Sequence, residues 1–132
     1  MTVLLDTDIC SSIIRKVPHV MRHYTQHSGS SHLSVVSITE LELWLLRFRT
    51  PLSYRQKFFN FQQYLHLLNV TEPIAHRAAM ITNALKSQGQ RIGLGDSLIA
   101  ATALEHGLTL VSRNLSPFTN ISGLLAIDWS TP

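Results

Sequence analysis

Charge is scarce in this sequence: Asp, Glu, Lys and Arg make up 14% of its 132 residues, against about 25% in an average soluble domain. Hydrophobic residues reach 45%, which excludes a disordered, solvated chain and leaves apolar surface to spare for a partner. Cysteine is reduced to Cys10 alone, so neither an internal disulfide nor the paired spacing of a structural zinc site is available. Long hydrophobic runs are missing too. Stretches such as Leu98 to Leu104 fall well short of the ~18 residues that cross a bilayer, so no integral membrane protein is expected. Met1 to Leu5 lacks the basic segment of a secretory leader and meets an acid at Asp6, which makes the cytoplasm the expected location. The length suits a single domain over residues 1–132, with a core large enough to need no staple.

What is present is a set of short strands and helices in alternation. Val3 to Leu5 is an apolar run that meets Asp6-Thr7-Asp8, after which Ile9, Ile13, Ile14 and Val17 recur at helical spacing. Pro18 opens a second helix carrying Val20, Met21 and Tyr24 as far as the polar stretch around Gly29. The β-branched segment Leu33 to Val36 predicts a strand. Ser37-Ile38-Thr39-Glu40 then has the form of a capping box before a helix from about Thr39 to Phe48. Past the Thr50-Pro51 break, Tyr54, Phe58, Phe61, Tyr64, Leu65 and Leu68 line one helix face, and Leu67 to Val70 is a candidate strand. Pro73 to Gly89 frames a helix with Ile74, Ala78, Ile81 and Leu85 inward. A glycine-bearing turn, Gly93 to Ser97, leads into a small-residue helix closed by Gly107. Leu108 to Val111 and Leu124 to Ile127 are the last strands, with a loop from Ser112 to Gly123 between them. The pattern is α/β: a central, mainly parallel sheet of four to five short strands in a three-layer α/β/α sandwich.

Three acids share one kind of address. Asp6, Glu40 and Asp96 each lie just beyond a strand or sharp turn, at the start of a helix, and ligands of open parallel sheets bind beyond the carboxyl ends of the strands. Singly, each has a plain alternative as a helix cap, with Glu40 as the back-bonding partner of Ser37. Jointly they could hold a hard divalent cation, which also resolves the repulsion between neighbouring carboxylates. Such a cation activates water and stabilises a leaving oxygen, the requirements of phosphodiester hydrolysis.

Four segments carry a resemblance to a known family. They are Leu4-Leu5-Asp6-Thr7-Asp8, the stretch from Ser34 through Ser37-Ile38-Thr39-Glu40-Leu41, Ile92-Gly93-Leu94-Gly95-Asp96-Ser97-Leu98-Ile99-Ala100-Ala101, and Thr109-Leu110-Val111-Ser112-Arg113-Asn114. Together they make the chain resemble PIN-domain ribonucleases, most closely the VapC-type toxins of bacterial toxin–antitoxin pairs. The resemblance implies that Asp6, Glu40 and Asp96 bind Mg²⁺ or Mn²⁺ and direct hydrolytic cleavage of RNA. It also implies a homodimer and a VapB-like antitoxin whose C-terminal tail crosses the active site. Asp8, commonly Asn in the family, is a further candidate near the metal or a cap. The family's usual fourth acid is replaced here by Pro117, which offers no side-chain oxygen. Asn114 and Ser112 are then the candidates for neutral ligands or water-positioning groups, although Asn114 could equally be a turn residue. The loss of that acid leaves open a catalytically weakened protein that acts by binding antitoxin or RNA. A housekeeping RNA-processing nuclease would share the same site.

Eleven basic residues against eight acidic ones give a net charge of +3. With the three acids turned to a cation, the rest of the surface suits an anionic polymer. Arg113 and Arg15, near the site segments, are the favoured phosphate contacts among Arg15, Lys16, Arg22, Arg47, Arg49, Arg55, Lys57 and Arg113. Trp44, Phe48, Tyr54 and Phe58 form an aromatic pair of helices, read as a groove for the antitoxin in preference to a base-stacking platform. His19, His23 and His27 share an i, i+4, i+8 face, read as solvated. Cys10 is expected in the core, and Ser11 and Ser12 have no base nearby in sequence.

Overall fold

In a computed structural model, residues 1–27, 29–48 and 51–131 are described, and Arg49 and Thr50 lie outside them. The chain starts with strand β1, Val3–Leu5, buried over its whole length, and passes at Asp6 into helix α1, Thr7–Ile14. Helix α2, Pro18–Gln26, begins on a proline whose missing N–H costs nothing in a first turn. Strand β2, Ser31–Ser34, leads straight into α3, Val35–Arg47, and then α4, Leu52–Gln62. Strand β3, His66–Leu68, precedes α5, Glu72–Ser87, whose first turn is capped by the Thr71 hydroxyl accepting from Ile74 N–H. Helix α6, Leu94–His106, ends on Gly107 at φ +63°, a left-handed turn that favours glycine. Strand β4, Thr109–Val111, a 3-10 turn at Ser116–Phe118, and strand β5, Ala126–Ile127, complete the fold.

All strand pairings are parallel, in the order β3-β2-β1-β4-β5, with Leu4 in register with His32 on one side and Leu110 on the other. Alternate side chains of a strand face opposite ways, so the sheet divides the core in two. Val3, Leu5, Leu33 and Val111 pack with Ile9, Cys10, Ile13, Phe58 and Phe61 on one face. Leu4 and Leu110 pack with Ile74, Leu85, Ile99 and Ala100 on the other. The three-layer α/β/α sandwich expected from the alternation is the one observed, with a sheet wholly parallel among the described residues.

Several local expectations are corrected. Val35 and Val36 are helical, because the Ser34 hydroxyl accepts from Val36 N–H at 3.1 Å and starts α3 there; a side-chain cap outweighs β-branching. Ser37 and Glu40 therefore lie inside the helix and form no capping box. The segment Gly93 to Ser97 is likewise helical from Leu94 onward, with Asp96 in the first turn. The face bearing His19, His23 and His27 is partly buried, since His23 and His27 stack on the buried Trp129 ring at 5.9 and 5.5 Å. Phe58, at 3% exposed, belongs to the core, although it also lines a small pocket beside Trp44 and Tyr54.

Truncation of Leu4 to Ala, in the middle of the central strand, should cost about 2–5 kcal/mol in denaturant unfolding. The same change at Met80, which is 72% exposed, should stay within about 0.5 kcal/mol of the parent.

Candidate active site

Strand order reverses around β1: β2 and β3 lie to one side, β4 and β5 to the other. At such a switch point the loops after neighbouring strands part and leave a crevice at the carboxyl edge. Asp6 leaves β1 there, its N–H donating to Val111 O at 2.8 Å, and Ser112 leaves β4 beside it, its N–H donating to Ile127 O at 2.9 Å. Asp6 does cap α1, accepting from Thr7 N–H at 2.7 Å through Oδ1. Its other oxygen, Oδ2, accepts from the buried Ser112 hydroxyl at 2.9 Å. Capping thus occupies one oxygen, and the Ser112 hydroxyl takes the other.

Asp8, in the first turn of α1, accepts the Arg113 backbone N–H through both oxygens at 3.2 Å. It ties the loop after β4 to the loop after β1. Glu40 stands on α3 and does no capping: its Oε1 accepts from the Thr7 hydroxyl at 2.5 Å, and that hydroxyl lies 3.1 Å from Ser37 Oγ. Asp96, in the first turn of α6, approaches from the remaining side, and α6 has Gly93 as its N-cap with no side-chain cap bond. One cleft of about 390 Å³ is lined by Asp6, Asp8, Glu40 and Asp96 together with Asn114 and Pro117. The trio taken from three distant stretches of sequence is therefore gathered in one cleft, with Asp8 as a fourth carboxylate.

Burial pushes the Asp6 carboxyl up to about 7, and the neighbouring Asp8 charge adds to the rise; the Thr7 N–H and Ser112 hydroxyl oppose it, and Asp96 contributes further. Asp96 is raised for the same reasons, burial first, then Glu40 and Asp8. These are the marks of carboxylates crowded in a space that water only partly reaches. The donors are all oxygen, which suits a hard divalent cation. As they stand, no three His, Cys, Asp or Glu side chains among the described residues are close enough together to hold one ion. A cation that keeps several of its waters needs only one or two carboxylates directly, and the open cleft has room for those waters. The residues fit such an ion.

Not every expected contact is here. Ser112 is buried behind Asp6, where it holds that carboxylate and caps its own loop by accepting from Asn114 N–H at 3.1 Å. The Arg113 guanidinium donates to Ser12 Oγ at 3.3 Å. Arg15 is exposed and borders a small apolar pocket with Trp44, Tyr54 and Phe58, outside the acidic cleft. Pro117 lines the cleft at the position where the family's fourth acid is expected. Sequence reasoning missed Thr7, Ser37 and Gly95. Gly95 lets α6 approach α3, since a Cβ there would sit 3.1 Å from Glu40 Oε2. Its place beside Asp96 was the available signal.

The PIN domain family model matches residues 3–124. The chain is 32% identical over 135 residues to ribonuclease VapC1 of Rickettsia felis, covering 99% of this chain and 98% of that protein. It is 28% identical over 128 residues to the tRNA(fMet)-specific endonuclease VapC of Shigella flexneri, covering 96% and 97%. Among solved structures, DNA-bound VapBC from Salmonella typhimurium superposes with a TM-score of 0.82 at 25% identity, covering 98% of both chains.

A carboxyl whose folded value lies above its ordinary 3.8 favours the protonated fold, so its contribution is complete below about pH 4, is lost as pH rises toward 7, and stays lost above. In EDTA the melting temperature should fall across that window. Asp6→Asn should remove much of the fall and stabilise the metal-free protein at pH 8 by roughly 1–3 kcal/mol. Saturating Mg²⁺ at pH 8 should raise the melting temperature of the parent and not of Asp6→Asn.

Proposed function

This chain belongs to the PIN-domain family, and on that premise we propose that it is a VapC-type endoribonuclease, the toxin of a toxin–antitoxin pair, which hydrolyses RNA phosphodiesters in the acidic cleft. The observation that carries the reading is the meeting of Asp6, Glu40 and Asp96 at the switch point of the sheet, with Asp6 pushed up to about 7 by burial and like charge. That is a site prepared for positive charge.

Asp6 and Asp96 are the proposed direct ligands of Mg²⁺, with Mn²⁺ as the alternative, and Glu40 is the third acid of the set. When bound, the cation supplies an activated water and charge compensation at the phosphate. The chain's own residues do the positioning. Ser112 holds Asp6, and Thr7 holds Glu40, so the two carboxylates keep their orientation when empty. Asp8 fixes the loop that carries Asn114, which faces the cleft as a neutral group able to orient water or a phosphate oxygen. Arg113 and Arg15 stand outside the cleft and serve, if at all, more distant phosphates of a long RNA.

The partner follows from the same surface. Leu43, Leu46 and Phe48 on and just after α3 are each more than 60% exposed, and with Trp44 they border a groove that reaches Glu40. This is the proposed seat of a VapB-like antitoxin, close enough to cover the acids. A homodimer and a cytoplasmic location belong to the same proposal. No described helix is long and apolar enough to cross a membrane. Because one relative is named for tRNA(fMet), tRNA is the substrate class to try first.

Purified protein should cut RNA internally with Mg²⁺ and stop in EDTA. Asp6→Ala should abolish cutting, and Ser112→Ala should lower it by about 10–100-fold through the orientation of Asp6. A folded parent protein that binds antitoxin yet cuts no RNA would instead favour the binding role that Pro117 leaves open. Gly95→Ala should leave the melting temperature level or higher, because alanine favours helix, while cleavage falls as the new methyl displaces the Glu40 carboxylate.

A further inference from the structure

The acidic cleft opens in two directions of opposite chemistry. Past Glu40 and Trp44 the way out is mainly apolar, bordered by Leu43, Leu46 and Phe48 with Arg47 among them. Past Asp96 and Pro117 it runs into a groove of about 380 Å³ bordered by Gln90, Arg91, Thr119 and Asn120. Both grooves share residues with the acidic cleft, so each gives a strand lying across the acids a way out. Resting on the ribonuclease reading above, we propose that the polar groove is the subsite for the RNA nucleotide next to the cleaved phosphate. In it Arg91 holds the adjoining phosphate and the Gln90–Asn120 pair reads the base.

Three features carry this. Arg91 is exposed at the groove, and among the described residues its guanidinium has no ion-pair partner; Arg47 at the other exit has none either, whereas Arg55 and Arg77 are paired to Glu42 and Glu105. A guanidinium left free in a groove that adjoins the acidic cleft through Asp96 attracts an incoming polyanion that the carboxylates repel. Gln90 and Asn120, 30 residues apart, meet at the groove, Asn120 Nδ2 donating to Gln90 Oε1 at 2.8 Å. That bond leaves the Gln90 NH₂ as donor and Asn120 Oδ1 as acceptor, groups that a base edge can pair with. Pro117 stands at the junction of cleft and groove. Its ring offers a neutral, apolar ledge over which a sugar or base can pass.

The test uses the full protein with single-stranded RNA oligomers of randomised sequence. Binding is followed by fluorescence anisotropy with Ca²⁺ in place of Mg²⁺, and cut sites are read by sequencing in Mg²⁺. Arg91→Gln should weaken binding severalfold and flatten the salt dependence by about 0.7, the loss of one single-strand phosphate contact, while Arg91→Lys keeps the slope. Gln90→Ala and Asn120→Ala should each relax the base preference at one position beside the cut. If parent protein cuts RNA but Arg91→Gln keeps its salt slope, and the two amide variants keep their cut-site preference, the subsite is overturned and the ribonuclease reading stands. If no RNA is cut, yet binding loses slope in Arg91→Gln, the ribonuclease reading fails and the groove remains an RNA site.

Discussion

Two parallel strands cannot be joined by a hairpin, because the chain must first be carried back to the starting edge of the sheet. In this protein the first three returns are made by pairs of helices and the last, from β4 to β5, by a loop with a 3-10 turn, so all five strands point one way and every strand exit lies on the same edge. Both faces of the sheet must then be covered, which accounts for the continuous burial of Val3–Leu5 and Thr109–Val111. It also means that residues far apart in sequence arrive on one rim without any local signal to bring them there. Asp6 and Ser112, 106 positions apart, meet at 2.9 Å for this reason.

Once gathered, the acids repel, and the fold contains that repulsion with neutral donors. Thr7 and Ser112 give hydroxyls to Glu40 and Asp6, and backbone N–H groups serve Asp6 and Asp8. A Lys or Arg in the same places would neutralise the cleft and leave it nothing to attract a cation. Hydroxyls orient the carboxylates without cancelling their charge. Asp6 and Asp96 are still held above the ordinary carboxylate range, first by burial and then by their acidic neighbours.

The order of elements, the parallel sheet and the core faces were legible because they follow from hydrophobic period, and Ile74, Ala78, Ile81 and Leu85 of α5 are buried as the period requires. Helix starts were less so. Ser34 and Ser37 look alike as caps, and only the backbone geometry after β2 selects Ser34. The acidic trio could be named because Asp and Glu carry their chemistry in their type. Thr7 and Gly95 could not, since one acts through a partner 33 residues away and the other through an atom it lacks. The apolar face of α3 was visible as excess hydrophobicity, while the polar groove beyond Pro117 depends on Gln90 and Asn120 meeting from 30 residues apart, which no periodicity reports.

Cys10 sits on the buried side of α1, fully enclosed, and its thiol is pushed well above the ordinary range by burial and then by Asp6 and Asp8. Burial first, and then the carboxylates that shape the cleft, keep this sulfur protonated and unreactive. Fully enclosed, it can meet an alkylating reagent only when the packing around α1 opens. The rate at which the lone thiol is modified is a clock for how often that side of the core comes apart.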